Sequence, residues 1–253
     1  VVYNEMKGAY SSPDDVLNRY CLNSLYPDTA YSVESGGDPD SIPDLSYEDF
    51  LAFHKKLYHP SNSYIYLYGN CDMAERLEYL DREYLSHYDC MKVDSEIKTQ
   101  KTFESMHRVE AQYSVTEDEG IAGRTYLSYN LSVGDTLDKK LYIAMQVLDY
   151  ALFSAPGAQV RQALIDAGIG DDIICSYESS LKQPMFTIAA KNTDEDRVDE
   201  FLRIINDTLT RIADDGINKD TLRAGINSME FRYREADFGQ FPKGLMYLSL
   251  IHI

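Results

Sequence analysis

Ser63-Tyr64-Ile65-Tyr66-Leu67-Tyr68-Gly69 is the stretch on which the fold class turns. Aromatic and branched residues fill it and a glycine closes it, which is the composition of a β-strand. Before it, Ser46-Tyr47-Glu48-Asp49 places a serine N-cap ahead of acids in a first helical turn. Phe50, Phe53, His54, Leu57 and Tyr58 then recur at helical spacing, predicting an inward face that ends at His59-Pro60. After it, Met73 to His87 has the pattern of a charged amphipathic helix. Helix, strand and helix in succession predict an α/β fold.

Towards the N-terminus, Val2, Met6, Ala9 and Tyr10 share one helical face, with Glu5 at its edge. Ser11-Ser12-Pro13-Asp14-Asp15 restarts the helix with a cap, a proline in the first turn and acids beside it. Val16, Leu17, Tyr20, Cys21 and Leu25 make its core stripe, so residues 1–26 are expected to be helical with a bend near Gly8. The run Tyr31 to Pro39 is a glycine-turn loop without the G-K-[ST] context of a phosphate site.

Towards the C-terminus, residues 91–119 are polar and predict a linker with one strand around Val109 to Val115. Arg124 to Val133 alternates as a strand, and Thr136 to Phe153 and Ala158 to Ala167 are helical. Asp172 to Ser179 and Pro184 to Ala190 are expected to pair as strands, followed by helices over Asp194 to Asp214 and Asn218 to Ala236. The apolar ending and the helical beginning predict a piece of a longer polypeptide.

The 253 residues carry a net charge of −18 and an ordinary 44% of apolar residues. Binding to nucleic acid or to an anionic membrane surface needs clustered Lys and Arg, so this composition argues against both and favours cationic peptides as partners. No apolar run approaches the roughly 20 residues of a membrane span. Cys21, Cys71, Cys90 and Cys175 lack any C-x-x-C pairing, which fits reduced thiols in a cytoplasmic or organelle-matrix compartment.

Chemistry is sparse. His54, His59, His87, His107 and His252 belong to no H-E-x-x-H or H-x-x-E-H motif and are expected to be structural, His59 as a turn residue. No nucleophile elbow, P-loop or dinucleotide fingerprint is present.

Several dispersed stretches, in order, nevertheless resemble one family: Val1 to Gly8 (V-V-Y-N-E-M-K-G), Tyr31 to Pro39 (Y-S-V-E-S-G-G-D-P), His54 to Asn62, Leu148-Asp149-Tyr150, Leu164 to Asp172 and Phe238 to Gly244. Together they look like the presequence-protease branch of the insulinase-like zinc metallopeptidases, the inverzincins. The resemblance implies an α/β (α+β) fold of two repeated units, each a mostly antiparallel sheet covered by helices. Residues 1–90 would be the C-terminal part of the catalytic unit, 91–119 a linker and 120–253 a truncated, non-catalytic second unit.

In that family H-x-x-E-H supplies two histidine ligands and a general base, and a downstream glutamate completes the zinc shell. By resemblance that glutamate is Glu5, with the histidines upstream of Val1. Three protein ligands leave a fourth position for water, whose pKa falls to about 7. Within the chain, Asn4, Met6 and Tyr10 match Asn227, Met229 and Tyr233 at a constant offset, and Glu5 meets Ser228. Gln146-Val147-Leu148-Asp149-Tyr150 has the shape of H-x-x-E-H with both histidines replaced and the glutamate shortened. Gln146, Asp149, Tyr150 and Ser228 are therefore expected to be a degenerate, non-functional copy of the site.

The resulting expectation is a piece of a zinc endopeptidase acting on unstructured peptides, inactive and zinc-free alone, whose partners are peptide substrates and the other domains of its polypeptide. The alternatives are a non-catalytic metallopeptidase-like subunit for peptide binding or assembly, and an unrelated α/β interaction domain in which Glu5 is ordinary.

Overall fold

The computed structural model describes residues 1–116, 118 and 120–252. It is a mixed α/β structure with one three-stranded antiparallel sheet and many helices. Two compact units are present: residues 1–40 with 97–233, and residues 41–96 with 234–253.

The first unit holds the sheet. Strands β1 (Thr125–Ser132), β2 (Asp172–Glu178) and β3 (Met185–Thr193) lie in the order β1-β3-β2, with Tyr129 opposite Ile188 and Cys175 opposite the same residue from the other side. Alternation sorts their side chains. Leu127, Ile173, Phe186, Ile188 and Ala190 enter one core with Phe153, Val160, Leu164, Phe201, Ile205 and Ile212. These come from helices α6 (Gln159–Asp166) and α7 (Val198–Asp215), and from a π-helical turn, Tyr150–Ser154, that continues α5 (Lys139–Asp149).

Other strand positions meet α2 (Pro13–Leu25), which follows α1 (Val2–Ala9). Cys21 and Tyr26 pack with Leu181 and Met185, and the Tyr26 hydroxyl donates to the Gln183 carbonyl oxygen at 2.5 Å. The Cys21 thiol donates to Ser128 Oγ at 3.2 Å. The bend expected near Gly8 is the break between α1 and α2.

The turn from α6 into β2 shows why Leu164 to Asp172 is written as it is. Ile169 N–H bonds the Leu164 carbonyl and Gly168 N–H that of Ile165, closing the helix in a Schellman motif. Gly170 then has φ +79, and a Cβ there would lie 2.3 Å from the Lys191 carbonyl oxygen, so only glycine fits.

The second unit contains α3 (Tyr47–Leu57), α4 (Met73–Glu83) and α9 (Lys243–His252). Ser46 and Asp72 accept the N–H groups of Asp49 and Glu75 as N-caps. Two expectations fail here. Residues 63–69 form no strand, because no neighbouring strand supplies a ladder, and the expected inward face of α3 buries nothing: Phe50 and Phe53 are each 59% exposed. No strand occurs at 109–115 either. Helix α8 spans Lys219–Glu235.

Candidate functional site

The two regions singled out by the sequence are α1, which carries Glu5, and the pairing of α5 with α8, which carries Gln146, Asp149, Tyr150 and Ser228. Glu5 lies exposed in the first turns of α1, its N–H bonded to the Val1 carbonyl. Below it the helix is fastened to the glycine loop. Met6 lies so close to Gly36 that a Cβ there would fall 2.4 Å from its sulfur. Arg19 stacks 4.3 Å from the centroid of the Tyr10 ring and pairs with Asp38 at 2.7 Å. The Asp40 N–H and the Arg19 guanidinium hold the Asp38 carboxyl below its usual range. This clasp orients the helix bearing Glu5, and sequence spacing gave no sign of the Arg19–Asp38 pair.

In the second region α5 and α8 are brought face to face. Gly225 of α8 lies against Tyr150 and Val147, where an added Cβ would meet them at 3.1 and 3.4 Å. Ser228 follows one turn on, half-buried, beside buried Met229. The Tyr233 hydroxyl donates to Gln146 Oε1 at 2.9 Å. Asp149 accepts from the Ser154 hydroxyl at 3.3 Å through one oxygen, while its other oxygen is buried without a partner among the described residues. Burial pushes its carboxyl up, partly opposed by the Ser154 bond and by Arg232.

The donor set does not fit zinc. Among the described residues no three His, Cys, Asp or Glu side chains stand together as a metal site. In the second region the donors are a carboxamide already engaged by Tyr233, one carboxylate, a phenol and a hydroxyl, and in the first a single carboxylate. Of the histidines, His59 accepts the Ser61 N–H at Nδ1 as a turn cap, and His54 stacks on Tyr58 at 4.6 Å. The side chain of His252 lies outside the described residues.

Residues 44–229, most of the chain, match the family model described as the Peptidase M16 inactive domain. The chain belongs to the M16 peptidase family. It is 47% identical to Protein HypA of Clostridium perfringens over 247 residues, which is 98% of this chain and 25% of that protein. It is 37% identical to Presequence protease 1, chloroplastic/mitochondrial, of Arabidopsis thaliana, covering 97% of this chain and 23% of that one. The M16 chain thus spans about a quarter of the length of these relatives. The crystal structure of an M16-like peptidase from Alicyclobacillus acidocaldarius has the same fold, with a TM-score of 0.60 at 18% identity over 92% of this chain and 54% of that one. The resemblance carried by the dispersed motifs is therefore correct at the level of family and fold.

Proposed function

We propose that this M16 chain is a segment of a zinc-dependent endopeptidase of unstructured peptides, in which Glu5 supplies the third zinc ligand and the remaining residues build chamber wall. What supports this reading is a repeat in the sequence set beside one helix contact: Asn4, Met6 and Tyr10 match Asn227, Met229 and Tyr233 with Glu5 against Ser228, and α8 lies against the Gln146–Tyr150 segment that has the shape of H-x-x-E-H. In the longer polypeptide Glu5 would be one of the residues that hold zinc, and the metal would supply Lewis-acid activation of a peptide carbonyl and of water. This chain's own part is to hold the Glu5 helix through the Tyr10, Arg19 and Asp38 clasp. The division into a catalytic portion over 1–90, a linker over 91–119 and a second copy over 120–253 belongs to the same proposal.

The four thiols are free, consistent with a reducing cytoplasmic or matrix compartment. No helix among the described residues is long and apolar enough to cross a membrane. Substrate peptides, and the other domains of the polypeptide, are the proposed partners.

The test is zinc content and cleavage of a quenched peptide by the chain alone. The expected result is neither tight zinc nor turnover; a stoichiometric zinc with turnover would overturn the reading. A second reading, a non-catalytic peptide-binding or assembly subunit, is favoured by the description of the matching domain as inactive. An intact H-x-x-E-H in the residues encoded before Val1 selects the peptidase; a degenerate one selects the subunit.

A further inference from the structure

We propose that Lys191 is a positioning residue for Glu5: its pair with Asp14 fixes the start of α2 to the sheet, and α2 in turn sets where α1 and its carboxylate stand. The weight given to Glu5 rests on the function proposed above; the attachment itself does not. Residues 1–40 fold in one compact unit with 97–233, so the helix bearing Glu5 goes with the three-stranded sheet. Alternation along β3 explains how. Phe186, Ile188 and Ala190 enter the core, which leaves Met185, Thr187 and Lys191 for the opposite face, where α2 lies. Met185 packs with Cys21 and Tyr26. Thr187 Oγ1 donates to Asn130 Oδ1 at 2.9 Å, and Asn130 Nδ2 donates to the Cys21 sulfur at 3.3 Å. Lys191 Nζ lies 2.6 Å from Asp14 Oδ1. One face of the sheet thus holds α2 at its first turn, along its length and just past its end.

Of these attachments, Lys191 is the one that governs α1. It acts on the first turn of α2, where only Tyr10, Ser11 and Ser12 separate the two helices. That joint is not slack: the Tyr10 and Ser11 N–H groups bond the Met6 and Gly8 carbonyls, and the Val16 N–H bonds that of Ser12. Nor is the ammonium free to drift. The Lys191 carbonyl accepts the Asp171 N–H at 2.9 Å, and the side chain is only 19% exposed. Asp172 stands opposite Lys191 in the ladder, but it is 56% exposed and lies 4.0 Å from Arg161, which leaves Asp14 as the partner. A pair shielded on one side keeps more of its attraction than a fully exposed one.

Backbone amide exchange of residues 4–11, with residues 127–131 of β1 as the internal reference, is measured in the parent chain, Lys191→Met and Lys191→Arg. Methionine keeps the stem and removes the charge; arginine keeps the charge. The expected result is exchange at least about threefold faster over 4–11 in Lys191→Met, parental exchange there in Lys191→Arg, and no change over 127–131 in either. Raising salt from about 0.05 M to about 0.5 M should speed residues 4–11 in the parent and leave Lys191→Met unmoved, a dependence that lost packing does not produce. Parental exchange in Lys191→Met, or the same salt response in both, would overturn the proposal. So would acceleration spread equally over 4–11 and 127–131, which would make Lys191 a support of the whole fold. Methionine-like exchange in Lys191→Arg would also overturn it, since the fit of the stem and not its charge would then matter. No metal enters the measurement, so its failure is distinct from a failure of the zinc-ligand reading of Glu5.

Discussion

Tyr233 on α8 and Gln146 on α5 are joined by a 2.9 Å hydrogen bond, and Gln146 is the residue that stands for the first histidine in the proposed degenerate copy of the site. The carboxamide acceptor that could otherwise face a ligand is thus spent on fastening two helices. Because the bond is half-exposed, Tyr233→Phe should cost only about 0.5 kcal/mol in urea unfolding.

The tighter part of that contact is Gly225. Its Cβ position is already 3.1 Å from the Tyr150 ring and 3.4 Å from Val147, with the helix backbone behind it. Gly225→Leu should therefore destabilise by about 2 kcal/mol or more, despite leucine's better helix propensity. Chemical denaturation of the two proteins checks this.

Gly170 is constrained differently, by backbone rather than side chain. With φ +79 and a carbonyl oxygen at 2.3 Å from the added carbon, Gly170→Ala should cost at least about 2 kcal/mol and shift the melting temperature down by several degrees.

Asp149 gives a pH signature. Burial raises its carboxyl above the ordinary 3.8, so the folded state disfavours the ionised form. Its contribution is most favourable below pH 3.8 and declines as pH rises from there through the raised folded value. Asp149→Asn should be more stable than the parent at pH 7, with the difference shrinking as the pH falls below the folded value. Urea midpoints measured for both proteins from pH 3.5 to 7 check the sign.

The cysteines should separate by reactivity. Cys71 and Cys90 are exposed; Cys21 is buried, and burial pushes the Cys175 thiol up to about 12. At pH 8 a thiol reagent should label Cys71 and Cys90 of the folded chain and reach Cys21 and Cys175 only on unfolding.

What the sequence made legible follows from range. Strands β1, β2 and β3 and helices α2 to α8 were written in local pattern: alternation around Tyr129, the serine ahead of acids at Ser46, and the glycine after Ala167. The run 63–69 carries an equally clear strand pattern, yet a strand exists only with a partner, and pattern alone supplies none. The inward face of α3 failed for the same reason. The π-helical turn after Asp149 and the Arg19–Asp38 pair had no local signal, since both depend on tertiary packing. At the candidate site, the sequence singled out Gln146, Asp149, Tyr150 and Ser228 by residue type; the contact of α8 with α5, and the hydrogen bond by which Tyr233 engages Gln146, had no local signal.

The central claim concerns Glu5, and zinc analysis of the longer polypeptide tests it most directly. Wild type, Glu5→Gln and Ser228→Ala are purified, checked for folding by circular dichroism, and assayed for bound zinc. The account predicts stoichiometric zinc in wild type and Ser228→Ala, and loss of most of it in Glu5→Gln. Full zinc retention by a folded Glu5→Gln protein would contradict it.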